Sequence, residues 1–205
     1  MRHLIGLLVI VFACGTAQAQ PQLYRVVNVD QTDTLNVRAT ANPTAAIVDT
    51  LSPSASRVEV LEERHGWGRV IAGEGEGWIN LAYLLRMERP AIGEFDAPGG
   101  LQCSGTEPFW GLQLHESGDA TYYDGESLGA ELVLNVVDAR TARARPDPHV
   151  YYLSGAAEGV AVIASGQCSD GMSDRRYGWQ ASVDMRSPDG VSRLVQGCCF
   201  TPVLQ

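Results

Sequence analysis

Phe109-Trp110-Gly111-Leu112-Gln113-Leu114-His115-Glu116-Ser117-Gly118-Asp119-Ala120-Thr121-Tyr122-Tyr123 decides how the rest of the chain is read. Trp110, Leu112 and Leu114 fall on one side of a period-two alternation, with Phe109, Gln113 and His115 on the other. Successive side chains point to opposite faces only in an extended strand, so this is a strand with one buried face. Ser117-Gly118-Asp119 is turn chemistry, and it sends the chain back through a second strand at Ala120 to Tyr123.

The same grammar holds on both sides. Val150 to Leu153, Gly159 to Ala164, Tyr177 to Met185 and Val191 to Cys199 read as strands, the last two joined by a hairpin turn at Pro188-Asp189-Gly190. Turn formers recur roughly every eight to twelve positions, the rhythm of an all-β protein. Leu132-Val133-Leu134-Asn135-Val136-Val137 fits a buried strand or a helical turn, and its β-branched content favours the strand. Residues 101–205 are therefore expected to form a compact β-barrel or sandwich.

Four of the five cysteines lie in that region: Cys103, Cys168, Cys198 and Cys199. In an oxidising compartment an even set forms disulfides, and three pairings are open. Neighbours on a strand point to opposite faces, so a direct Cys198–Cys199 bond would be strained. Each is expected to bridge one of the other two. No Cys-x-x-Cys spacing supports a redox or metal motif.

Upstream, Pro90, Gly93, Pro98, Gly99 and Gly100 interrupt every pattern, so residues 89–100 read as a linker. Before it, residues 22–88 carry short strands at Tyr24 to Val29, Leu35 to Arg38, Ile47 to Leu51, Val58 to Leu61, Trp67 to Val70 and Gly77 to Ile79. A turn at Glu63 to Gly66 and a closing turn at Ala82-Tyr83-Leu84 complete them. Inward Val, Leu and Ile on such strands can close a small barrel and hide its edges.

In order and spacing this run, about a third of the chain, resembles bacterial SH3 domains. The resemblance implies an SH3-like barrel that binds peptidoglycan stem peptides or an envelope protein, with no chemistry. Its groove would use Asn36, Arg38, Trp67, Trp78 and Tyr83. Where that family commonly has a Gly-Pro-Ser-like turn, this chain has Ala39-Thr40-Ala41-Asn42-Pro43 beside the groove. Plainer readings stand beside these: Trp67 and Trp78 as core aromatics, and Arg38 paired with a nearby acid.

The second half carries Cys103-Ser104-Gly105-Thr106-Glu107-Pro108-Phe109-Trp110, Cys168-Ser169-Asp170-Gly171-Met172-Ser173-Asp174-Arg175 and Gly197-Cys198-Cys199. Together these resemble a family of bacterial envelope proteins without an established activity, over about Leu101 to Phe200. Glu107, Asp170, Ser173, Asp174 and Arg175 form a candidate second site, chemically suited to an acid/base pair or an anion. The competing readings are ordinary turn chemistry for the Asp170 loop and a buried ion pair between Glu107 and Arg175. His65, His115 and His149 show no ligand spacing, and the Asp170 loop lacks the acid density of a calcium site. No metal or cofactor is expected.

The ends and the charge bound the setting. Arg2 and His3 precede an apolar run of about ten residues, Leu4 to Ala13, and Ala17 and Ala19 supply a signal-peptidase pattern. Residues 1–19 thus read as a signal peptide, which places the protein in the periplasm. In the alternative, Cys14 carries a lipid and anchors the chain. No later stretch is long and apolar enough to cross a membrane. The formal net charge is -9, with fifteen arginines and no lysine. An acidic chain without a basic tract does not suit nucleic acid. The expected function is a non-catalytic binding or adaptor protein of the cell envelope. The alternatives are a cell-wall hydrolase targeted by the SH3-like part, or an inhibitor of lysozyme-type enzymes.

Overall fold

The structure is a computed structural model, and it describes residues 20–125, 131–186 and 190–205. The chain is nearly all β. The expected signal peptide, Cys14 and most of the Pro188-Asp189-Gly190 turn lie outside the described residues.

The first unit contains β1 (Gln22–Val26), β2 (Leu35–Arg38), β3 (Ile47–Leu51), β4 (Val58–Val60), β5 (Glu62–Arg64), β6 (Trp67–Ala72), β7 (Gly75–Asn80) and β8 (Leu84–Met87), with a 3-10 turn at Leu81–Tyr83. One sheet has the order β4-β1-β8 and the other β3-β2-β7-β6-β5. Both sheets contribute to one core: Val26, Val58 and Val60 from the first, Leu35, Val37, Val70 and Ile79 from the second. Each such side chain contributes roughly 1.5–3 kcal/mol by leaving water. Packing there is close, since a Cβ on Gly77 would lie 2.4 Å from Val37 Cγ1.

Residues 89–100, expected as a linker, are folded. β9 (Ala91–Ile92) and β10 (Phe95–Pro98) form a small hairpin. Its Ile92 and Ala97 are buried in the core of the second unit. The prolines and glycines are the punctuation of this hairpin, and two inward residues are too few to show as a periodic face.

The second unit is a closed antiparallel barrel of β11 (Leu101–Thr106), β12 (Phe109–Leu114), β13 (Asp119–Asp124), β14 (Leu132–Thr141), β15 (His149–Gly155), β16 (Glu158–Cys168), β17 (Tyr177–Arg186) and β18 (Ser192–Phe200). Every strand pairs with its neighbour in sequence, and β18 returns to β11 through Gln102↔Phe200, Cys103↔Cys199 and Ser104↔Cys198. Closure removes the free edges that a sandwich would leave. Alternation decides which residues fill the barrel. On β14, Leu134 and Val136 point inward while Val133 and Val137 are exposed. Strand is thus the outcome at the one ambiguous segment.

Two disulfides, Cys103–Cys199 and Cys168–Cys198, follow the same alternation. Cys199 joins Cys103 in the interior core, whereas Cys198 is directed to the other face and meets Cys168 at the end of β16.

The two units are joined around a carboxylate. Glu59 of β4 is 6% exposed. Its Oε1 accepts from Arg89 Nη2, Trp179 Nε1 and Thr201 Oγ1, each at 3.0 Å, and its Oε2 from the Thr201 amide at 3.3 Å. The Arg89 guanidinium also lies over the Trp179 ring, 4.9 Å from its centroid. Nearby, a Cβ on Gly178 would sit 2.2 Å from Pro21 Cγ, so β17 lies directly against the first unit. Ser56 pairs with Leu204 as an isolated bridge, tying the C-terminal residues to the first unit as well.

Candidate functional site

The first unit presents a groove of about 380 Å³ lined by Asn28, Asp30, Asp33, Asn36, Arg38, Pro43, Trp67, Asn80 and Tyr83, among others. Its floor is a direct product of strand alternation. On β2, Leu35 and Val37 enter the core, which leaves Asn36 and Arg38 on the opposite face. Trp67 opens β6, half-buried. Tyr83 stands exposed on the 3-10 turn, which begins where Asn80 Oδ1 accepts the Ala82 amide at 3.0 Å.

Charge in the groove is mixed. Arg38 Nη1 donates to the Ala45 carbonyl at 2.7 Å, so it holds the 39–46 loop through a main-chain oxygen and not through the acid that the plainer reading expected. Asp30 accepts the Thr32 hydroxyl and amide, and these bonds hold its carboxyl below the usual range. Asp33 caps the Thr34 amide at 2.7 Å. One guanidinium, two carboxylates, three side-chain amides and two aromatic faces therefore share one concave surface. Such a set can bind a peptide through its amide groups and any terminal charge.

Four of the five sequence-derived groove residues, Asn36, Arg38, Trp67 and Tyr83, line this groove, and Trp78 does not. Trp78 pairs across the sheet with both Arg38 and Arg69, and the Arg64 guanidinium covers its ring at 4.7 Å. Neither tryptophan belongs to the buried core, so the core-aromatic reading fails for both. Asn28, Asp30, Asp33 and Asn80 were absent from the sequence reading. For Asp30 and Asp33 the signal was present as Asp-x-Thr and Asp-Thr turn chemistry in the β1–β2 loop, where a carboxylate commonly caps nearby amides.

The second set behaves differently. Asp170 accepts from the Met172 amide at 3.0 Å, the Ser173 amide at 2.9 Å, the Ser173 hydroxyl at 2.8 Å and the Tyr177 hydroxyl at 3.1 Å. Partial desolvation pushes its carboxyl up, but these donors outweigh it and bring the pKa down to about 2. A carboxylate so saturated organises a turn and is a poor proton carrier. Arg175 donates to the Gly73 carbonyl at 2.7 Å and pairs with Glu74 at 3.0 Å, so the expected Glu107–Arg175 ion pair is replaced by a contact with the first unit. Asp174 joins it, its amide donating to the Glu74 carbonyl at 3.1 Å. Glu107 is exposed on the β11–β12 turn. The two marked segments are nonetheless neighbours, because Thr106 Oγ1 donates to the Asp170 carbonyl at 2.9 Å.

Buried titratable groups elsewhere are packed into the frame. Burial lowers the pKa of His149, whose ring contacts Thr141 Oγ1 at 2.9 Å, and burial raises Tyr122 to about 12. Among the described residues no group of three His, Cys, Asp or Glu is placed to hold a metal ion, and no helix is long and apolar enough to cross a membrane.

Residues 33–84 match the family model of the bacterial SH3 domain. The match runs from Asp33 through Leu84 and so takes in most of the groove. It leaves the barrel outside, and the resemblance drawn from the Cys103 to Trp110 and Cys168 to Arg175 segments gains no support from it. No curated protein and no solved structure matches the chain. A bacterial SH3 domain points to a cell-wall binding module, and the matched residues include the β2, β6 and 3-10 segments that line the groove.

Proposed function

We propose that this protein is a non-catalytic binding or adaptor protein of the bacterial cell envelope. Its SH3 unit docks through the Asn36, Arg38, Trp67 and Tyr83 groove on a peptidoglycan stem peptide or on an envelope protein. The single observation that carries this reading is the coincidence of the bacterial SH3 match with a groove of mixed charge and aromatic faces. The barrel, fixed to the SH3 unit through Glu59, presents a second surface at a set orientation. Removal of residues 1–19 on export and residence in the periplasm belong to the same proposal.

The alternative of a hydrolase in the barrel would rest on Glu107, Asp170 and Asp174, and the turn donors that surround Asp170 favour the binding reading over it. The test is co-sedimentation of the intact mature protein with purified sacculi, and in parallel with detergent-solubilised envelope proteins. Binding of the intact chain to one of the two, weakened by Tyr83→Ala with an unchanged melting temperature, is the expected result. Binding to neither overturns the proposal.

A further inference from the structure

The two disulfides occupy unlike surroundings. Cys103 and Cys199 are 1% and 0% exposed and sit inside the barrel core. Cys168 is only half-buried, and it lines an open cleft of about 410 Å³ with Ser169, Ser173, Asp174, Arg175 and Arg176. Its partner Cys198, 2% exposed, lies behind it. The bond also anchors the start of the 168–176 loop, the segment whose Asp174 amide and Arg175 guanidinium grip Gly73 and Glu74 at the β6–β7 turn of the SH3 unit.

We propose that Cys168–Cys198 is a thiol–disulfide exchange site, attacked at Cys168 Sγ by an external thiolate, and that exchange loosens the loop's grip on the SH3 unit. Three observations converge on it. Access is the first: an attacking sulfur must reach one disulfide sulfur in line, and Cys168 fronts a cleft while Cys103, Cys198 and Cys199 are 1%, 2% and 0% exposed. Charge is the second: Arg176 at the cleft favours an incoming thiolate and, after exchange, a Cys168 thiolate, while Arg175 is paired with Glu74 and Asp174 is the opposing charge. Consequence is the third: the bond anchors the start of a loop whose far end contacts another folded unit.

The chemistry balances. The external thiolate forms a bond to Cys168 Sγ, the Cys168–Cys198 bond breaks, and Cys198 leaves with the electron pair and takes a proton from solvent. A second thiolate then attacks the external sulfur of the mixed disulfide, releasing Cys168 as thiolate and leaving the two external thiols joined. The protein disulfide gains two electrons, and the external thiol pair loses two. A low-molecular-weight thiol and the exposed dithiol of an exchange enzyme present the same attacking group.

The experiment exposes the intact native protein to reduced glutathione or, separately, dithiothreitol, followed by acid quench, alkylation and peptide mapping. Glutathione is expected to add to Cys168, and dithiothreitol to free both Cys168 and Cys198. Cys103–Cys199 should react at least about ten-fold more slowly, because it is reached only when the barrel opens. Arg176→Gln should slow glutathione, whose carboxylates add to the charge of its thiolate, by roughly two- to five-fold, the worth of one exposed ion pair, and should slow the less charged 2-mercaptoethanol thiolate by less. Hydrogen exchange at the Asp174 amide should rise in the reduced protein and equally in C168S/C198S. Equal rates at the two disulfides, faster reaction at Cys103–Cys199, or a Cys168 that reacts only in denaturant would overturn the site. Unchanged protection of Asp174 after reduction would overturn the loosening.

Discussion

Glu59→Ala removes the acceptor on which four donors from three separated parts of the chain converge. Trp179 Nε1, Thr201 Oγ1 and the Thr201 amide lose this acceptor, and Arg89 Nη2 loses its carboxylate while keeping the Pro21 carbonyl, in a place where the Glu59 and Arg89 side chains are 5% and 14% exposed. Breaking a buried pair by deleting one member costs about 3–5 kcal/mol, since the remaining charge stays desolvated without its counter-charge. For a chain of this size 1 kcal/mol moves the midpoint by about 2–4 °C, so the melting temperature should fall by roughly 6–20 °C. Glu59→Gln retains a carbonyl acceptor for Trp179 and Thr201 and loses only the charge opposite Arg89, so its loss should be distinctly smaller. The assay is differential scanning calorimetry of the full chain. The hub also couples the two units, so the alanine variant should broaden or split a transition that is single in the parent. A shift under about 2 °C with an unchanged single transition would refute the reasoning, because it would mean that Glu59 carries no coupling between the units.

Two further outcomes follow from the frame. His149 is held below its ordinary pKa of 6.5 by burial, so on acidification the unfolded chain takes up the proton first. Stability should therefore fall as pH drops below about 6.5 and the slope should disappear in His149→Gln, as read by denaturant midpoints across that range; an identical slope in the variant would exclude His149 as its source. Gly178→Val places atoms where Pro21 and Leu61 now pack, and overpacking of this kind costs about 1–3 kcal/mol. Thermal melts should show that loss, and a neutral substitution would show that β17 does not press on the first unit.

Much of this fold is legible in single strands and little of it in the contacts between them. β12 coincides with the Phe109 to Leu114 alternation, and Leu132 to Val137 proves to be strand because Leu134 and Val136 turn inward from exposed neighbours. Alternation also explains why Cys198 and Cys199 must take different partners. Which partner each takes depends on the closure of β18 onto β11, a pairing between segments almost a hundred residues apart in sequence (Cys103 and Cys199 are separated by 96). The 89–100 hairpin escaped reading because two buried residues make no period. At the groove, Trp67 and Trp78 look alike in sequence, each beginning or sitting within a short alternating strand. Three dimensions separate them, with one lining the concave surface and the other next to it on the same sheet, paired with Arg38 and Arg69 and covered by Arg64. Arg175 shows the same limit, since Glu74 lies a hundred positions away and Glu107 was the acid in view.

That separation of the two tryptophans gives the most direct test of the binding groove. The measurement is the affinity of the intact protein for its sedimenting target, sacculi or envelope protein, with Trp67→Ala and Trp78→Ala compared at matched folded fraction. An aromatic anchor at a binding surface is worth about 2 kcal/mol or more, so Trp67→Ala should weaken binding by at least about ten-fold. Trp78→Ala should bind within about two-fold of the parent, as expected for a residue outside the contact. Equal losses in both variants, or a loss confined to Trp78→Ala, would contradict the assignment of the groove.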